Sequence, residues 1–80
     1  MIGMDCSFIR FSGHALRRMF ERGLDDRMVV AVLKSGEIIA DYPDDQPYPS
    51  QLLLGFVQDR PVHVVAAMDS ASKTCFVVTA

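Results

Sequence analysis

Apolar side chains recur three and four positions apart between residues 13 and 35, then switch to alternation and short continuous runs. The first pattern predicts two short amphipathic helices, the second a set of strands. The first helix runs from about Gly13 to Arg22, with Ser12 as its N-cap and Gly23 in the position that ends it. Ala15, Leu16, Met19 and Phe20 share one arc and are assigned to the core; His14, Arg17, Arg18, Glu21 and Arg22 share the other. The second helix begins at an Asp25 N-cap, with Asp26 favoured by the N-terminal dipole and a Leu24/Val29 staple. Its buried stripe is Met28, Val29, Val32 and Leu33, with Lys34 in the last turn and Gly36 closing it.

Residues 37–42, 51–57, 62–68 and 74–79 read as strands, rich in Val, Leu and Phe. Residues 58–61 and 69–73 are short enough for hairpin loops, so the sheet is expected to be an antiparallel meander. Residues 43–50 hold three prolines and two acids and read as a loop or stiff edge connection. Residues 7–11 can add a short first strand, with Phe8 and Ile9 on opposite sides. The expected fold is α+β: two N-terminal helices packed on a four-stranded antiparallel meander, one domain over residues 1–80.

Composition adds limits. Half of the residues are hydrophobic, too many for a disordered chain, and 80 residues are near the lower end of what folds alone. No stretch approaches a membrane span and the N-terminus has no signal-like apolar region, so a soluble cytoplasmic domain, monomeric or weakly dimeric, is the expectation. Cys6 and Cys75 lie far apart with no paired spacing, which argues against a zinc knot; in a reducing compartment they are expected to be thiols. The formal charge is −2, but residues 1–34 sum to +2 and residues 35–80 to −4. A basic front on an acidic body permits a local anionic ligand although the whole chain has no bulk attraction for nucleic acid.

One constellation carries chemistry. His14, Arg18 and Arg22 are spaced i, i+4, i+8, and Arg17 flanks them, so a single helix flank presents several groups suited to phosphate. Beside this stands a plainer reading: arginines on a wet helix face are commonly solvated or paired with acids such as Glu21, Asp41, Asp44 or Asp45. His63 alternates with Val62 and Val64, on the face of Val65 and Ala67, and is equally readable as a hydrogen-bonded sheet residue. Tyr42, Tyr48 and the prolines read as a rigid edge rather than a groove. No spacing for a metal or nucleotide site is present, and neither cofactor nor metal is expected.

The stretch His14-Ala15-Leu16-Arg17-Arg18-Met19-Phe20-Glu21-Arg22-Gly23-Leu24 resembles the signature of the DUF4258 family of uncharacterised bacterial proteins. Glu37-Ile38-Ile39, Asp41-Tyr42-Pro43, Pro47-Tyr48-Pro49-Ser50, Leu52-Leu53-Leu54-Gly55, Pro61-Val62-His63-Val64-Val65 and Val78-Thr79 match downstream, so the resemblance spans about residues 8–80. Members commonly continue past this last strand, where this sequence has only Ala80. The family in turn is similar in layout to small RelE-like and barnase-like RNase toxins, an analogy of fold that does not itself carry function. Taken together with the basic His14/Arg flank, the resemblance leads to the expectation of a metal-independent RNase-like or RNA-binding protein of toxin type, with RNA, and an antitoxin, as partners. His14 or His63 would move protons between the 2′-hydroxyl and the leaving oxygen, Arg18 and Arg22 would stabilise the phosphorane, and Arg17 and Thr79 would bind. The alternative is a non-catalytic interaction module that pairs its sheet with another protein or with itself.

Overall fold

The computed structural model describes residues 2–80. Strand β1 (Phe8–Phe11) precedes helices α1 (Gly13–Arg22) and α2 (Asp26–Ser35), followed by β2 (Glu37–Tyr42), β3 (Ser50–Val57), β4 (Arg60–Asp69) and β5 (Thr74–Thr79). The strands form one sheet in the order β1-β5-β4-β3-β2. Strands β2 to β5 make the expected antiparallel meander, whereas β1 runs parallel to β5, placing Ile9 beside Cys75 and Phe11 beside Val77. The sheet is therefore mixed.

The helix ends follow the local chemistry. Gly23 is left-handed at φ 66°, and the amides of Gly23 and Leu24 bond back to the carbonyls of Phe20 and Met19, closing α1 as a Schellman turn. The Asp25 carboxylate accepts from the Met28 amide at 3.0 Å and starts α2. Gly36 ends α2 in extended rather than left-handed backbone. The carbonyls left open there are met by the chain's own start: the amides of Gly3 and Met4 donate to Gly36 and Leu33. The β3–β4 turn is only Gln58 and Asp59, both at positive φ, so β4 begins two residues earlier than the apolar run suggests. Pro61 is tolerated there because β5 reaches along β4 only as far as Val65.

Both helices lie on one face of the sheet. Val29, Val32 and Leu33 of α2 and Ala15 and Met19 of α1 close over Leu53, Val62, Val64, Ala66, Cys75 and Val77. Helix α2 approaches β3 so tightly that a Cβ on Gly55 would stand 2.8 Å from Val32 Cγ2.

Two expectations are overturned. Leu16 and Phe20 are not core residues: they are 53% and 88% exposed. At about 100° per residue, Phe20 lies about 140° around α1 from Ala15, and α1 rests only on the line through Ala15 and Met19. Cys6 and Cys75 are not free thiols either. They form a disulfide, with Cα atoms 5.7 Å apart, which ties the N-terminal segment to β5. No helix among the described residues is long and apolar enough to cross a membrane.

Candidate functional site

Helix α1 is fastened to the end of β5 at both of its ends. The Ser12 hydroxyl accepts from the Ala15 amide at 3.0 Å and donates to the Val78 carbonyl at 3.0 Å, while the Ser12 amide donates to Val77. At the other end, Arg22 Nη1 donates to the Ala80 carbonyl at 2.9 Å. Arg60 Nη2 in turn donates to the Arg22 carbonyl at 2.6 Å, capping a helix terminus whose carbonyls carry partial negative charge. The row predicted to hold phosphate is thus partly spent on the fold. Arg22 belongs to the scaffold, and Arg18 pairs with Glu21 at 3.4 Å. Arg17 and His14 are exposed and have no hydrogen-bond or ion-pair partner among the described residues. The histidine ring is accordingly not sequestered against the sheet.

His63 is on the other side of the molecule. Side chains alternate along β4, so Val62, Val64 and Ala66 face the helices while His63, Val65 and Ala67 face away. Thr79 pairs with Val65 and shares that outer face, one diagonal from His63. His63 and Thr79 therefore lie together, whereas His14 and the arginines belong to the helix layer. The two histidines are not brought to a common cleft.

A second candidate surface is the outer face of the sheet, away from the helices. Leu52, Leu54 and Phe56 of β3, His63 and Val65 of β4, and Phe76 and Val78 of β5 line it. Phe56 is 70% exposed and Val78 44%. The loop of residues 43–49 folds over one end, where Tyr48 stacks on Phe76 with ring centroids 5.5 Å apart, and Ser50 donates its hydroxyl to Asp45. Between loop and sheet lies an open cleft of about 340 Å³ lined by Asp45, Pro47, Tyr48, Ala67, Phe76 and Val78. Of the tyrosines and prolines read as a rigid edge, Tyr48 and Pro47 therefore form a groove wall. The alternation of β3 and β5 could have pointed to it; the fold-back of the loop is tertiary. No group of His, Cys, Asp and Glu suited to a metal occurs among the described residues.

The division of roles along the row has a direct consequence. Arg22→Ala removes the link to the end of β5 and is expected to cost about 0.5–1.5 kcal/mol in urea unfolding. Arg17→Ala is expected to change stability by less than about 0.5 kcal/mol. Equal effects of the two would contradict the scaffold role of Arg22.

Residues 11–80 match the model of the family described as domain of unknown function DUF4258. No curated protein and no solved structure matches the chain. The match takes in both helices and the whole meander and leaves out only the N-terminal segment with most of β1. The chain belongs to the DUF4258 family.

Proposed function

We propose that the domain is a protein-interaction module that docks partners on the outer face of its sheet. The observation that carries this is the one-sidedness of the core. Both helices cover the same face, and the opposite face keeps Leu52, Leu54, Phe56, Val65 and Val78 without a covering layer beyond the loop at one end. A contiguous apolar surface of this kind costs solubility and is ordinarily covered in the working state. The net charge of −2 and the placement of His14 on α1 and His63 on the outer face of β4 point the same way.

A photo-crosslinking residue at Phe56 is expected to give a discrete adduct in cells, with another protein or with a second copy, and the same residue at Arg27 on α2 none. His63→Asp, an exposed change on the same face, is expected to lower the adduct yield at least about tenfold, the equivalent of ~1.4 kcal/mol. Equal adducts from both positions, or none, would reject the reading.

A second reading rests on His14, whose ring is exposed and unpartnered beside Arg17 and Arg18. In it the flank binds RNA and His14 moves a proton during cleavage. It requires RNA binding that weakens with salt, and cleavage that falls about a hundredfold or more in folded His14→Ala. Absence of binding and cleavage at low salt would dismiss it.

A further inference from the structure

We propose that the outer face takes a second copy of this chain, with the exposed side of α1 from one molecule seated in the cleft of the next. This rests on the docking role proposed above and names the occupant. Leu16 and Phe20 stand one helical turn apart on α1, both exposed, with Arg17 flanking Phe20 on the helix surface. Their shape is that of a helix-in-groove anchor, lacking only the groove.

The cleft supplies it. Pro47, Tyr48, Phe76 and Val78 offer an apolar wall with an aromatic stack, against which the Phe20 ring can pack edge or face. Charge sets the orientation. Asp45 lines the cleft, with one carboxylate oxygen engaged by Ser50 and the other without a partner among the described residues. Arg17, beside Phe20, has no ion-pair partner among the described residues, while Glu21, the acid on the same helix face, already holds Arg18. The +2 front and −4 body of the chain are thus complementary between copies.

The two patches lie on opposite layers of the molecule, α1 above the core and the cleft beneath the sheet. One contact therefore uses the helix of one copy and the cleft of the other, leaving a free helix and a free cleft at the two ends. The association is heterologous and extends head to tail.

Complementation tests this with the full chain. In sedimentation at low salt, the wild type is expected to rise in mean mass with concentration above the monomer's 8.9 kDa. The rise should shrink at high salt. Phe20→Asp, which spoils the helix patch, and Val78→Asp, which spoils the cleft, are each expected to stay monomeric with native circular dichroism. Mixed, they are expected to form a dimer of about twice the monomer mass, since each retains the half the other lacks. Gln46→Lys, at an exposed position that lines the cleft and would repel Arg17, serves as the cleft variant should Val78→Asp fail to fold. A wild type that is monomeric throughout, a single variant that still associates, or a mixture that stays monomeric would overturn the inference. A monomeric wild type whose Phe56 crosslinks to a different protein would end the self-association and leave the docking role standing; loss of that adduct as well would remove both.

Discussion

Eighty residues make two layers, and the second layer here covers only one side of the sheet. Helix α2 lies over β3 and β4 and helix α1 over the end of β5, and between them they bury Leu53, Val64, Ala66 and Val77. Every other feature answers to that asymmetry. Gly55 lacks a side chain so that Val32 can come close; the N-terminal segment closes the end of α2 and is tied by a disulfide to β5; the proline-rich loop folds under the sheet and stacks Tyr48 on Phe76. What remains uncovered is the outer surface of three central strands.

Strand β5 is where these demands meet. It pairs with β4 on one side and β1 on the other, holds Cys6 through Cys75, and receives both ends of α1 through Ser12 and Arg22. A histidine-arginine row that reads on a helical wheel as a phosphate cradle is thereby divided. Arg22 and Arg18 are engaged within the chain, and His14 and Arg17 have no partner among the described residues. The helix that anchors the fold also presents its unburied apolar residues outward.

Much of this was legible in the sequence because it is local. The bounds of α1, the Ser12 and Asp25 caps, the Gly23 turn and the bounds of β2 and β5 follow from side chains within a few residues of each other. The face shared by His63, Val65 and Ala67 follows from alternation alone. The parts that were not legible depend on distant partners. Leu16 and Phe20 share an apolar arc with Ala15 and Met19, but which part of the arc is buried is decided by where α1 lands on β5. The parallel pairing of β1, the Cys6–Cys75 bond and the fold-back of residues 43–49 join segments that no local pattern connects. For the candidate site, the sequence gives the residue types of the helix flank, and only the packing assigns Arg22 to the scaffold and His63 to the opposite face.

The central claim is that the chain itself leaves one face of its sheet uncovered, and neighbouring residues on the same strands test it most directly. Methyl NMR of dilute protein with a soluble paramagnetic probe compares Leu52, Leu54, Val65 and Val78 with Leu53, Val64 and Val77. The account predicts strong broadening of the first set and protection of the second, alternating residue by residue along β3, β4 and β5. Equal protection of both sets would mean that a layer of this chain covers the outer face, and would contradict it.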